Sequence, residues 1–169
     1  MNQVTIRQIS QEDIESLHAC LDSVARERKY LGFTQAAPLE ETRKSLVEDM
    51  ERGVIRLIAL DESKVIGWCH IRPDRWEGFT HTGWLGMGVL NKYRGQGIGS
   101  ALLHQTLVVA RNRGLERVEL SVFASNLTAI RLYEKFTFEV EGRKKKARKL
   151  EGTYDDIIIM ALLFDLACS

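Results

Sequence analysis

Arg94-Gly95-Gln96-Gly97-Ile98-Gly99 is the stretch from which the rest of this chain can be put in order. Three glycines in five positions let a turn bring its backbone against a ligand with no Cβ in the way. Residues 100–112 carry apolar side chains at helical spacing and read as a helix. The free N–H groups of the turn then sit at the positive pole of the helix dipole, which is a ready anion site. The segment reads as a cradle for a phosphate or pyrophosphate. Two familiar nucleotide motifs fail on spacing. A P-loop needs a lysine after its last glycine, and Ser100 follows Gly99 directly. A dinucleotide fingerprint needs glycine at position 100, or glycine or alanine at 102, where the chain has Ser100 and Leu102.

Upstream, Thr82-Gly83-Trp84-Leu85-Gly86-Met87-Gly88-Val89 reads as a strand laced with three glycines. Interior glycines weaken a strand and mark a bulge or the close approach of another backbone. Such a strand can be a bend, or an edge that offers N–H and C=O groups to an amide-bearing ligand. A ligand with a pyrophosphate and peptide-like amides satisfies turn and strand together. Coenzyme A is such a ligand.

Around this centre the chain is ordinary in composition. Its 169 residues are 44% hydrophobic and 28% charged, as for a globular protein, and are read as one domain over 1–169. A net charge of +1 gives no global field to select nucleic acid or an acidic membrane. Cys20, Cys69 and Cys168 show no metal-ligand or disulfide spacing and fit a reducing cytoplasm; no metal is expected. Residues 1–10 are polar and alternating, unlike a secretion signal. No apolar run approaches the roughly 18 residues that span a bilayer, so no membrane partner is expected.

Periodicity supplies the elements. Residues 4–7 alternate as a strand, and Ser10 with Asp13 forms a capping-box pattern opening a helix to about Tyr30. A second helix is predicted over residues 40–52, stopped by Gly53. Residues 55–60 and 65–71 read as a hairpin, followed by a strand over 81–90, the glycine turn and a helix ending at Gly114. Then come a strand through Val118, Leu120 and Val122, a helix from Asn126 to about Phe136, and two strands near 138–147 and 154–163. The order β-α-α-β-β-β-α-β-α-β-β makes the fold class α/β with a mixed sheet.

Met87-Gly88-Val89 and then Tyr93-Arg94-Gly95-Gln96-Gly97-Ile98-Gly99-Ser100-Ala101-Leu102-Leu103 closely resemble the GNAT (Gcn5-related) N-acetyltransferases, whose signature is [R/Q]-x-x-G-x-[G/A] after such a strand. Asn126, then Ala129 through Lys135 with Tyr133, then Phe138, is similar to the family's N-x-x-A-x-x-x-Y motif. The C-terminal hairpin is similar to amino-acid, polyamine and ribosomal-protein acetyltransferase branches. The resemblance is specific from about Trp84 to Leu163 and vague before Ile55.

The resemblance implies a central, mostly antiparallel twisted sheet of six to seven strands with flanking helices, and acetyl-CoA as the donor. It implies that Arg94, Gly95, Gln96, Gly97, Ile98, Gly99 and Ser100 wrap the pyrophosphate. Met87, Gly88 and Val89 would pair through backbone with pantetheine, and Asn126 would hydrogen-bond nearby. Tyr133 would stand beside the thioester sulfur as the acid for the departing thiolate. Read from residues alone, Tyr133 lies on the inward stripe Ala129, Leu132, Tyr133, Phe136, as a core aromatic would. The amide near Val89 is placed to polarise the carbonyl.

The proton acceptor is open. Relatives use a glutamate where this chain has Ser121; Glu27, His70, His81, Glu119 and a solvent relay are the candidates here. Thr137 stands where the family has glycine, and a β-branched residue resists positive φ, so the helix is expected to end differently. Arg143-Lys144-Lys145-Lys146-Ala147-Arg148-Lys149 reads as a solvated face, or as an attractor of CoA phosphates or a substrate carboxylate. Arg72, Arg75 and Trp76 are in a loop that could form the acceptor pocket or could simply be exposed. The expected acceptor is a small amine such as an amino acid; a peptide N-terminus and a polyamine are alternatives. A non-catalytic acyl-CoA sensor is the rival from outside enzymes. The two terminal strands offer an edge for a homodimer.

Overall fold

The computed structural model describes residues 4–164, so the expectations for residues 1–3 and for Cys168 lie outside the described residues. The predicted elements are present in the predicted order: β1 (Thr5–Gln8), α1 (Ile14–Arg26), α2 (Leu39–Glu51), β2 (Ile55–Asp61), β3 (Lys64–Pro73), β4 (Thr82–Val89), α3 (Ile98–Asn112), β5 (Arg117–Phe123), α4 (Leu127–Lys135), β6 (Glu139–Leu150) and β7 (Thr153–Leu163).

The local chemistry explains the boundaries. Asp13 accepts from the Ser10 N–H and hydroxyl, both at 2.8 Å, and from Arg7 at 2.7 and 2.8 Å, which fixes the entry to α1. That helix stops at Arg26, short of Tyr30, because Arg28 adopts φ 58° and Glu27 is drawn to a distant partner described below. Gly53 at φ 71° ends α2, and Gly114 at φ 82° ends α3.

Among the described residues, seven strands form one sheet in the order β1-β2-β3-β4-β5-β7-β6. Every neighbouring pair is antiparallel except β4 and β5. The helices cover both faces. Side chains of α3 such as Leu102 and Leu103, fully buried, pack on the face shared by Gly67 and Val89. On the other face Asp49 of α2 accepts from Arg56 of β2 at 2.9 Å and from Arg72 of β3 at 2.7 Å. Each large apolar side chain so buried contributes about 1.5–3 kcal/mol. Among the described residues no helix is long and apolar enough to cross a membrane.

Candidate active site

The sheet is incomplete in the middle. β4 and β5 pair only over Thr82–Arg117, Gly83–Val118 and Trp84–Glu119, then diverge. From Leu85 to Val89, β4 keeps its β3 partners but, among the described residues, has no strand on its other side. The free edge faces a cleft of about 560 Å³. Ser121 and Val122 form the opposite wall, α4 contributes Ala129, Leu132 and Tyr133, and Tyr30 and Leu31 come from the segment after α1. Arg94, Gly95, Gly97, Gly99 and Ser100 line the same cleft.

The turn has the geometry its glycines promise. Gly95 at φ 73° and Gly97 at φ 81° are left-handed, and Gly97 caps α3. A Cβ at either would meet nothing within 4 Å, so the dihedral and not crowding demands glycine, and the turn's outer side is open. The first N–H groups of α3 lack intrahelical partners by construction. Arg94 is less free than its motif implies. Its Nε donates to the Val89 carbonyl at 2.8 Å, its other nitrogens donate to Glu27 at 2.8 and 2.5 Å, and its guanidinium lies 4.6 Å from the Tyr30 ring centre. It acts as a strut between turn, strand end and the α1 segment.

Tyr133 is 7% exposed, and its ring leans on Phe138 with centroids 5.7 Å apart. Its hydroxyl makes no hydrogen bond with any described residue, and burial pushes the phenol well above its ordinary pKa. Tyr133 lines the cleft. Asn126 caps α4 by accepting from the Ala129 N–H at 3.2 Å, and it lines the cleft.

The glycines of β4 make room for side chains of the neighbouring strand. A Cβ at Gly88 would fall 2.3 Å from the Trp68 ring, and one at Gly86 would fall 2.5 Å from the His70 ring. Side chains of β3 lie across the backbone here, a close approach by rings and not by another main chain.

With this geometry in view, residues 13–138 match the profile of the Acetyltransferase (GNAT) family. This chain belongs to the GNAT acetyltransferases. It is 32% identical over 110 residues to the L-amino acid N-acetyltransferase AaaT of Escherichia coli strain K12, covering 64% of this chain and 68% of that protein. Among solved structures, a GNAT acetyltransferase of Streptococcus pneumoniae superposes with TM-score 0.89 at 27% identity, over 96% of this chain and 100% of that one. The ribosomal-protein-alanine N-acetyltransferase of Brucella melitensis gives TM-score 0.88 at 27% identity, over 95% and 99%.

Within this GNAT acetyltransferase, Met87, Gly88, Val89, Arg94, Gly95, Gly97, Gly99, Ser100, Asn126 and Tyr133 gather in one cleft. Gln96 and Ile98 do not line it: the Gln96 amide donates to the Lys92 carbonyl at 3.0 Å, and the Ile98 side chain is buried in the core. Only their backbone groups belong to the turn. None of the four protein base candidates lines the cleft. Glu27 is spent on Arg94. Glu119 lies 3.4 Å from Arg117. His81 stands at the start of β4, where its carbonyl accepts from the Glu116 and Arg117 amides. His70 is pushed down to about 3 by burial, with Arg56 and Arg72 adding to the effect.

Of the remaining expectations, the one for Thr137 is corrected. Arg72 and Arg75 line a separate concavity of about 620 Å³ beside α2, and Trp76 is exposed. Thr137 does not avoid the left-handed region: it adopts φ 63°, because the Phe138 N–H must reach the Tyr133 carbonyl, at 3.1 Å, to close α4. The basic run is a solvated face, with residues 143–147 and 149 exposed; on it Arg143 pairs with Asp156 at 2.6 Å and Arg148 donates to the Arg28 carbonyl at 2.6 Å. Sequence reasoning missed Tyr30 and Leu31, which lie in an irregular segment without periodicity. Ser121 was noted only for not being glutamate.

Proposed function

We propose that this GNAT acetyltransferase moves the acetyl group of acetyl-CoA onto the amino group of a free L-amino acid or a closely related small metabolite. The observation that carries the enzymatic reading is Tyr133, a largely buried residue of the cleft wall whose hydroxyl has no hydrogen-bond partner among the described residues, in the same cleft that the glycine turn lines. The glycine cradle fits a pyrophosphate: its N–H groups are free and its outer side is empty. The unpaired edge of β4 fits the amides of pantetheine.

Bound acetyl-CoA supplies the activated thioester. The chain's own residues do the rest. The turn at 95–100 holds the phosphates, while residues 87–89 and the Asn126 amide align the arm along β4. The Tyr133 oxygen keeps its proton across the working pH range, because burial disfavours the phenolate, so it is a donor at the leaving-group position. The acceptor amine loses its proton to solvent, given that no carboxylate or imidazole lines the cleft among the described residues. The amino-acid acceptor is supported by the likeness to the E. coli enzyme. A peptide N-terminus is the second reading, favoured by the likeness to the Brucella structure. Cys20 and Cys69, free thiols raised to about 12 by burial, suit a reducing cytoplasm.

The test is thiol release from acetyl-CoA with free amino acids, short peptides and polyamines as acceptors. Turnover with amino acids is expected. Turnover confined to peptides would favour the second reading, and CoA-induced thermal stabilisation without any turnover would make the protein a sensor. Tyr133→Phe is expected to lower kcat by about 100-fold with CoA affinity unchanged; unaltered kcat would remove Tyr133 from the acid role.

A further inference from the structure

Among the basic residues of the C-terminal hairpin, Arg148 is set apart. Arg143 is ion-paired with Asp156, and Lys146 and Lys149 lie over the exposed Tyr154 ring at 5.3 and 5.2 Å. Arg148 is only partly exposed and has no carboxylate within ion-pair distance among the described residues. Its cross-strand neighbour, Asp155, instead accepts from the Ser125 hydroxyl. The guanidinium is nonetheless held firmly: it stacks on Phe123 at 4.5 Å and donates to the Arg28 carbonyl at 2.6 Å.

The hairpin is distorted to put it there. Between Lys144 and Arg148 the pairing slips, setting residues 145–147 of β6 against the single residue Asp156 of β7. Lys146 takes φ 51°, and its N–H donates to Asp156 at 2.7 Å. Bulges of this kind re-aim side chains, often beside active sites. Phe123 is one two-residue strand step, about 7 Å, from Ser121 in the cleft wall. Arg28 is two residues from Tyr30, which lines the cleft from the other side. Arg148 therefore bridges the rim between both walls. A guanidinium fixed by one stacking contact and one hydrogen bond keeps the remainder of its fork for a planar anion.

We propose that Arg148 binds the carboxylate of the acceptor and so restricts the substrate class to amines that carry a nearby carboxylate. This rests on the amino-acid reading above. An α-amino acid held there by its carboxylate presents its amine toward the β4 edge, and the partly buried, uncompensated charge penalises acceptors that lack the carboxylate.

The experiment compares each amino acid that is turned over with its own carboxamide and its decarboxylated amine. It uses the wild-type protein and the variants Arg148→Ala, Arg148→Lys and, as a control, Arg143→Ala. Wild-type kcat/KM is expected to favour the free acid by about 10- to 100-fold. Arg148→Ala is expected to raise KM for the acid by a similar factor while leaving the carboxamide unchanged. Arg148→Lys should recover part of the loss, since lysine offers a point charge and not a fork. Equal wild-type kcat/KM for acid and carboxamide overturns the assignment without any variant. So does an equal loss for both in Arg148→Ala, which would make Arg148 a tie between hairpin and loop. Turnover of peptides alone, with no free amino acid accepted, overturns the amino-acid reading and this assignment with it.

Discussion

His70 lies under Gly86, its ring filling the space where a Cβ would stand, with Nδ1 buried and unpartnered. Burial, with Arg56 and Arg72 nearby, lowers its pKa to about 3, so the ring is neutral in the folded protein at any ordinary pH. An unfolded histidine titrates near 6.5. Below that pH the unfolded chain binds a proton that the folded chain refuses, so stability falls as pH drops from about 6.5 toward 3. His70→Gln should flatten that part of the profile, as read by urea unfolding at pH 7, 6, 5 and 4. A profile that stays equally steep would place the acid sensitivity elsewhere. The same residue shows what single positions reveal. Motif spacing singled out Tyr133, Asn126 and the glycines of the turn, which line one cleft, because that pattern lies between neighbours close in the chain. It could not reveal that Glu27 holds Arg94 across 67 positions, or that His70 supports β4, because such partners are chosen by the sheet.

α4 ends on a residue that pays for its place in backbone strain. Thr137, β-branched, sits at φ 63° while its N–H reaches the Glu134 carbonyl at 2.9 Å and Phe138 closes back on Tyr133. The left-handed conformation costs a non-glycine residue about 1–2 kcal/mol. Glycine removes that strain but adds freedom to the unfolded chain, worth about 0.4–1 kcal/mol the other way. Thr137→Gly is therefore expected to raise stability by about 0.5–1 kcal/mol, measured as a higher denaturant midpoint with an unchanged m-value. A lower midpoint would mean that the Thr137 hydroxyl, which donates to the Phe136 carbonyl at 2.7 Å, matters more than the strain. Helices and strands were legible from periodicity to within a few residues. Their ends were not where a distant group decided them: α1 stops at Arg26, and β6 carries a bulge around Asp156 that alternation alone does not signal.

Across the whole molecule, the order of strands was beyond any local pattern, since pairing partners lie far apart in sequence, and only the family resemblance anticipated a mostly antiparallel sheet. That order places the gap between β4 and β5 at the centre. Strands β1 to β4 on one side and β5 to β7 on the other share three residue pairs, to which the Arg148–Arg28 hydrogen bond and the Arg28–Glu151 ion pair at 2.9 Å add a second tie. Amide protons on the two sides should therefore exchange with deuterium as two groups of different protection in the free protein. Saturation with CoA at 100 times its Kd is worth about 2.7 kcal/mol to the closed form. It should slow exchange at residues 85–89 and bring the two groups to one level; unchanged rates there would mean that CoA does not lie along β4. The cleft beside β4 is thus also expected to be the seam along which the protein first breathes, and filling it to let the seven described strands open and close as one cooperative unit.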